Sequence, residues 1–169
     1  MNNINIKTKR FTVRSLKVTD VSYRYAGWLA DENVSRYIAV RVDIDELRHY
    51  VFKKTEQRDT VFLGIFEKHT QLHIGNIKYE PINNEMGYAI MGILIGDDNW
   101  RGKGVAKEVI SATKDWLKKN TNVNRIILGV NVDNKNAIRA YQKIGFVNRD
   151  VEHIKHKNSS GITMVWDFR

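Results

Sequence analysis

The 169-residue chain contains no cysteine and only one proline, Pro81. Without cysteine it forms no disulfide framework, no thiolate metal site and no cysteine nucleophile. Its N-terminal segment lacks the apolar stretch of a secretory signal, and no hydrophobic run approaches the roughly 20 residues that a membrane span requires. We therefore expect a cytoplasmic protein that does not bind to membranes.

Acidic residues are fewer than basic ones: 19 Asp and Glu against 28 Lys and Arg give a formal net charge of +9. This excess bears on partners rather than on fold, and it suits nucleic acid, an anionic cofactor or an anionic small substrate. A solvated basic surface is the alternative. The basic residues are dispersed and no signature of a nucleic-acid-binding fold is present, so we do not expect nucleic acid as a partner.

Hydrophobic periodicity predicts one α/β domain over residues 1–169, because strands alternate with helices after residue 86. Residues 31–42 have no clean period and are interpreted as a loop. Apolar or alternating segments predict strands at 11–18, 60–68, 72–80, 86–96, 125–132, 146–155 and 162–168.

Helices are predicted from Thr19 or Asp20 through Leu29, over 43–57, from Gly104 to Lys119, and after Asn134. The third of these carries its apolar residues on one face, as a helix that packs on a sheet does. Those residues are Val105, Val109, Ala112, Trp116 and Leu117. Gly145 suits the left-handed residue that ends the last helix.

The segment GDDNWRGKGVA, residues 96–106, follows an apolar strand and opens a helix. A glycine-rich turn at such a junction lets backbone N–H groups approach an anion, and the helix N-terminus adds partial positive charge. The segment is not a Walker A loop, since Gly104 rather than Ser or Thr follows Lys103. It is not a dinucleotide fingerprint either, since Lys107 replaces the third glycine. Spacing alone leaves a phosphate-binding turn and a plain turn open.

Two motifs together resemble the GNAT N-acetyltransferases. RGKGVA matches the Arg/Gln-x-x-Gly-x-Gly/Ala pattern of that family's acetyl-CoA pyrophosphate loop, and NKNAIRAYQKIGF further along resembles its second signature. The order of elements is similar over nearly the whole chain. The layout of residues 16–38 and 73–83 resembles the RimJ/RimL-like branch, and within it members associated with surface-sugar biosynthesis.

The resemblance implies a single-domain GNAT fold, in which a mixed, mostly antiparallel sheet of six to seven strands is splayed between strands 86–96 and 125–132. Helices would cover both faces. Acetyl-CoA would be the cosubstrate, with no metal. Its pantetheine arm would enter the gap and contact Asn134 and the strand at Ile93, Leu94 and Ile95. Its pyrophosphate would meet the loop residues Arg101, Gly102, Lys103, Gly104, Val105 and Ala106.

Direct transfer of acetyl to an amine needs a proton acceptor, an N–H group for the oxyanion and a donor for the leaving thiolate. The resemblance implies that a backbone N–H near Leu94 binds the oxyanion and that Tyr141 donates to the leaving thiolate, although Tyr141 also suits a core position. Relatives often carry an acid where this chain has Ile90. Glu80, Glu85 or a water chain would then be the base.

The acceptor pocket is expected over the loop 31–42 and the ends of the strand at 72–80. Aromatic and arginine side chains there suit a flat anionic amine such as a nucleotide-linked amino sugar, although an ordinary surface loop is equally consistent. The candidate residues are Trp28, Arg36, Tyr37 and Arg41.

Other functions stay open. They are N-terminal acetylation of a ribosomal-type protein, non-catalytic CoA binding and nucleic-acid binding. A basic enzyme would repel a basic ribosomal protein, so the charge favours a small-molecule amine. A second copy of the chain, in a homodimer, is a further candidate partner.

Overall fold

A computed structural model describes residues 3–30, 43–151 and 160–168, and one eight-stranded sheet passes through all three ranges. Four α-helices accompany the strands in the described residues. In chain order the elements are β1 (Asn5–Lys7), β2 (Phe11–Ser15), α1 (Tyr23–Ala30), α2 (Ile44–Glu56), β3 (Val61–Glu67), β4 (His73–Asn83), β5 (Tyr88–Ile95), α3 (Val105–Asn120), β6 (Arg125–Asn131), α4 (Lys135–Ile144), β7 (Val147–Asn148) and β8 (Gly161–Asp167).

The strand order is β1-β2-β3-β4-β5-β6-β8-β7, and every neighbouring pair is antiparallel except β5 and β6. This confirms the predicted mixed, mostly antiparallel sheet, although it has eight strands rather than the six to seven expected. Hydrophobic periodicity did not predict β1, which has only three residues. The strand predicted over 146–155 ends at Asn148, and residues 152–159 lie outside the described part of the chain.

The predicted splay between the two central strands is confirmed. Strands β5 and β6 pair only from Tyr88 to Ile90, against Arg125 to Ile127. Beyond that point β5 continues against β4 while β6 continues against β8. A gap therefore opens between the second halves of the two parallel strands.

Helices cover both faces of the sheet, as predicted. On one face α3 packs through the buried residues Val105, Val109, Ile110 and Leu117. On the other face α1 and α2 form a second apolar cluster with Phe62. Within the described residues, no helix has both the length and the apolar character that crossing a membrane would require.

Local capping accounts for where the predicted helices begin. The Asp43 carboxylate accepts hydrogen bonds from the N–H groups of Asp45 and Glu46 at the start of α2. The Asn134 side chain accepts from Ala137 N at the start of α4, as expected of an N-cap. The first helix begins later than predicted, because residues 18–20 form a separate 3-10 turn.

The turn between β1 and β2 is fastened to the first turn of α3 by one carboxylate. Glu108 accepts hydrogen bonds from Thr8 Oγ1 at 2.7 Å, Arg10 N at 2.8 Å and Arg10 Nε at 2.8 Å. Burial alone would raise the pKa of Glu108, but these hydrogen bonds and the Arg10 charge together hold it below its usual value. The ionised carboxylate therefore stabilises the fold.

Glu108→Gln is expected to lower the free energy of unfolding at pH 7 by about 1.5 to 3 kcal/mol, the range for hydrogen bonds to a charged group. Because the folded-state pKa is lowered, the contribution is complete above the unfolded pKa and is lost as pH falls below it. Urea unfolding should therefore show a difference between the two proteins that shrinks from pH 7 to pH 3. A difference that is constant with pH would contradict the assignment. Exposed Glu56→Gln is the control.

Candidate active site

The glycine-rich loop joins β5 to α3 at the mouth of the gap. Gly102 and Gly104 adopt φ values of +72° and +74°, the left-handed region that favours glycine. The first helical hydrogen bond runs from Glu108 N to Gly104 O. The N–H groups of Val105 and Ala106 consequently have no acceptor within α3 and are available to an anion.

The Arg101 side chain is hydrogen-bonded to the end of β5. Its Nε donates to Ile95 O at 3.0 Å, its Nη2 donates to Gly96 O at 3.3 Å, and it forms an ion pair with Asp98. The guanidinium therefore fastens the loop to the strand. Lys103, by contrast, is exposed beside the two glycines.

Arg10 is a cation at this loop that the sequence analysis missed. Its Nη1 donates to Lys103 O at 3.0 Å while its Nε is paired with Glu108. No local pattern indicates this contact, because the two residues are 93 positions apart in the chain. Arg10 adds positive charge at the N-terminus of α3.

Hydrogen bonds at the two ends of β5 show which way its backbone groups point. Near its beginning, Gly87 O accepts from Asn124 N, on the β6 side. Near its end, Gly96 N donates to Ile74 O, on the β4 side. Successive residues of a strand alternate between its two neighbours. Odd-numbered residues of β5 therefore direct N–H and C=O toward β6, and even-numbered residues direct them toward β4.

This alternation identifies the backbone groups that face the gap. Beyond Ile90 no β6 residue pairs with β5, so the N–H groups of Ile93 and Ile95 are directed into the gap. Leu94 pairs with Asn76 of β4, and its N–H points away from the gap. We therefore move the expected oxyanion donor from Leu94 to Ile93 or Ile95.

Tyr141 lies on α4, half-buried against the core, with its ring centroid 5.7 Å from that of Phe146. Its hydroxyl makes no hydrogen bond to any residue that the structure describes. Burial raises the pKa of Tyr141 to about 12, so the hydroxyl keeps its proton at neutral pH. The residue combines a packed ring with a protonated, uncommitted hydroxyl.

Glu80 is held in an ion cluster that disfavours its predicted role as a base. Its carboxylate pairs with Lys54 of α2 and lies 2.6 Å from Lys78 Nζ. Burial alone would raise the pKa of Glu80, but the two lysines hold it below its usual value. A carboxylate with a lowered pKa is a weak proton acceptor. The alternative, Glu85, is exposed in the turn between β4 and β5.

A cavity of about 210 Å³ lies on the face of β5 opposite α3, between the sheet and helices α1 and α2. Its walls are mainly aromatic and aliphatic. The lining residues are Tyr25, Leu29, Leu47, Tyr50, Phe62, Asn76, Lys78, Gly92, Ile93 and Leu94.

Trp28, predicted to bind substrate, belongs instead to the apolar core. It is 7% exposed, does not line the cavity, and its ring centroid lies 5.1 Å from that of His73. Its ring also fills the space beside Gly96, where no side chain fits. The other predicted acceptor residues, Arg36, Tyr37 and Arg41, lie outside the described residues.

The site therefore consists of a strand gap, a glycine-rich loop at the mouth of the gap and a cavity on one face of β5. A comparison with known protein families adds one further observation. The sequence profile of the acetyltransferase (GNAT) domain family matches residues 10–147. The chain therefore belongs to the GNAT acetyltransferase family and is an acyltransferase. GNAT domains use acetyl-CoA as a cosubstrate and act on amines.

Individual relatives agree with this assignment. The chain is 27% identical to an N-acetyltransferase from Bacillus licheniformis called p20 and described as uncharacterized, with 88% of this chain and 87% of the relative covered. It is also similar to two solved structures whose identity is low enough that the likeness concerns the fold alone.

One solved structure is a Salmonella typhimurium acetyltransferase that modifies the N-terminal serine of a 50S ribosomal subunit protein. Its TM-score is 0.82 at 12% identity, with 98% of this chain and 100% of that chain covered. The other is a dodecameric spermidine N-acetyltransferase from Vibrio cholerae, with a TM-score of 0.73 at 22% identity and 94% of both chains covered.

Proposed function

We propose that the chain transfers acetyl from acetyl-CoA directly to a primary amine that enters the cavity between the sheet and helices α1 and α2. The arrangement of β5 supports this proposal most directly. One edge of the strand directs into the gap N–H groups that no β6 residue pairs with, and Gly92 and Leu94 line the cavity on one face. The cosubstrate and the amine would therefore meet at Ile93.

The loop and the gap fit acetyl-CoA. The two left-handed glycines bring backbone close to a phosphate, and the amides of Val105 and Ala106 lack helical acceptors. Lys103 and Arg10 add positive charge, while Arg101 holds the loop in place. The gap-facing N–H groups of Ile93 and Ile95 and the Ile93 carbonyl would pair with the pantetheine amides, because the Ile95 carbonyl already accepts from Arg101. Asn134 lies just past the end of β6, where it would contact the same arm.

Acetyl-CoA supplies its acetyl group as a thioester: the amine nitrogen bonds to the carbonyl carbon, the carbon–sulfur bond breaks, and one proton passes from nitrogen to sulfur. A gap-facing N–H, best placed at Ile93, would stabilise negative charge on the carbonyl oxygen. The Tyr141 hydroxyl would donate to the departing sulfur. Because Glu80 is a weak base, we assign removal of the amine proton to water.

The acceptor is proposed to be a small-molecule amine. The net charge of +9 supports an anionic one such as a nucleotide-linked amino sugar, with Arg36 and Arg41 as its contacts. The solved neighbours supply two alternatives, a protein N-terminus and spermidine. Lys78, which lines the described cavity, is already paired with Glu80. An anionic group of the acceptor would therefore have to bind cationic residues outside the cavity. A cytoplasmic location and a homodimer stay predictions.

Release of CoA in the presence of acetyl-CoA and a panel of primary amines tests the proposal. The panel contains amino sugars and their nucleotides, amino-acid amides, short peptides and polyamines. Because the chain has no cysteine, a thiol reagent reports CoA alone. Amine-dependent release is expected for at least one amine class. Binding of CoA without release for any amine would instead indicate a non-catalytic CoA-binding module.

A further inference from the structure

Hydrogen bonds around His73 determine which side-chain atom of Asn76 is left without a partner. His73 Nε2 lies 3.0 Å from Gly75 O and 2.9 Å from Asn76 Oδ1. A backbone carbonyl only accepts, so Nε2 must carry the proton. The atom of Asn76 beside it must then be the amide oxygen, and Nδ2, a donor of two hydrogens, is left over.

The surroundings of His73 hold this arrangement at neutral pH. Burial lowers the pKa of His73, although its hydrogen bond to Asn76 opposes the effect, and the ring is therefore neutral. The ring stacks on Phe66 at a centroid distance of 4.8 Å, with Tyr25 and Trp28 against its edges. Packing consequently fixes the His73 ring, and the hydrogen bond from that ring orients the Asn76 amide.

Asn76 Nδ2 is an unsatisfied donor beside the cavity. The residue is 4% exposed and lines the cavity, and Nδ2 has no hydrogen-bond partner in the described part of the chain. Leaving a buried donor unpaired destabilises a folded protein, so its presence calls for an explanation. An oxygen atom brought in by a ligand would satisfy it.

The other polar side chains of the cavity, which are Tyr25, Tyr50 and Lys78, also carry hydrogen-bond donors. Burial raises the pKa of Tyr25, whose hydroxyl therefore stays protonated, and it makes no hydrogen bond to a described residue. Lys78 Nζ donates to Tyr50 and is paired with Glu80. Among the described residues no carboxylate lines the cavity, and the rings of Tyr50 and Phe62 already lie beside the Lys78 ammonium, so the cavity offers no ion-pair partner to a second ammonium group.

We propose that Asn76 selects amines that carry a hydrogen-bond-accepting oxygen within a few bonds of the reacting nitrogen. Amino-acyl and amino-alcohol groups belong to this class, and oxygen-free alkylamines and polyamines do not. Asn76 pairs directly with Leu94, next to Ile93, so an oxygen on Nδ2 lies about one strand spacing from the reacting nitrogen. The inference rests on the proposed function and names the acceptor class of the same site.

Asn76→Asp tests the selection, because it keeps the shape and the oxygen beside His73 but replaces the donor by an acceptor. Alaninamide and sec-butylamine serve as amines of similar size, with and without a carbonyl oxygen. For each amine, the kcat/KM of the variant is divided by that of the wild-type protein. This ratio removes the difference in intrinsic reactivity between the two amines. We expect this ratio to be at most one tenth for alaninamide and to stay within threefold of unity for sec-butylamine. Asn148→Asp, on the exposed β7, should leave both ratios near unity.

Thermal unfolding checks that each variant folds, and Asn76→Ala, which also removes the donor, replaces Asn76→Asp if the carboxylate prevents folding. Equal losses for both amines, or no loss for either, would overturn the selection while leaving acetyl transfer intact. Wild-type protein that acetylates no amine would overturn the proposed function itself. The two failures are therefore distinguishable.

Discussion

Tyr141→Phe is expected to lower kcat by roughly 100-fold, within the range for loss of a general acid. The variant keeps the ring that packs against Phe146 and loses only the hydroxyl. That hydroxyl has no partner in the described structure, so its removal breaks no structural hydrogen bond. The affinity for acetyl-CoA and the melting temperature should consequently stay close to those of the wild-type protein. Steady-state kinetics and calorimetry measure the two effects separately.

Tyr23→Phe provides the control, because Tyr23 is 82% exposed on α1. If the Tyr141→Phe enzyme keeps a kcat within a few-fold of wild type, water rather than Tyr141 protonates the leaving thiolate, and Tyr141 is only a core residue. The pH profile gives an independent check. Since the pKa of Tyr141 is about 12, its ionisation does not limit the rate near neutrality. Loss of rate at low pH should instead follow protonation of the amine.

Gly104→Asn is expected to weaken the binding of acetyl-CoA by at least tenfold, which corresponds to about 1.4 kcal/mol. Asparagine tolerates the left-handed conformation better than most residues, so the loop should keep its shape. Its side chain would nevertheless stand where the backbone has to approach the pyrophosphate. Isothermal titration of the folded variant with CoA measures the loss.

Gly87→Asn is the control for asparagine at positive φ, and it also carries a steric cost, because a Cβ at Gly87 lies 3.1 Å from the Asn124 side chain. Gly87 also has a left-handed conformation, with φ of +70°, but it precedes β5 at the end opposite the loop. A general cost of asparagine at positive φ would appear in both variants as reduced stability. Equal CoA affinities in the two variants would mean that the loop does not hold the pyrophosphate.

The sequence predicted those parts of the fold that depend on local patterns. The apolar face of α3, the Asn134 cap and the change of period at Gly104 are all encoded within a few neighbouring residues. The splay of the sheet followed from the family resemblance. Strand β1 was missed because three residues are too few to show alternation.

The site was less predictable, because its details depend on contacts between distant residues. Only the hydrogen bonds at both ends of β5 show that Ile93 rather than Leu94 faces the gap. The weakening of Glu80 as a base comes from Lys54 on a different element. The contact of Arg10 with Lys103 likewise joins distant segments.

Aromatic residues misled the prediction of the acceptor pocket. Trp28 was chosen for its residue type, but its ring is enclosed by His73, Tyr25 and the backbone of Gly96. Asn76 and Tyr25 line the cavity instead, and no spacing rule distinguishes a buried asparagine from an exposed one. The unpaired Nδ2 becomes evident only when the partners of His73 are known.

The stoichiometry of the reaction tests the central claim most directly. Wild-type protein is incubated with acetyl-CoA and the best amine of the panel, and mass spectrometry quantifies acetylated amine while a thiol reagent quantifies CoA. The account predicts one acetylated amine for each CoA released, with release dependent on the amine. CoA release without acetylated amine, or binding of acetyl-CoA with neither product, would contradict it.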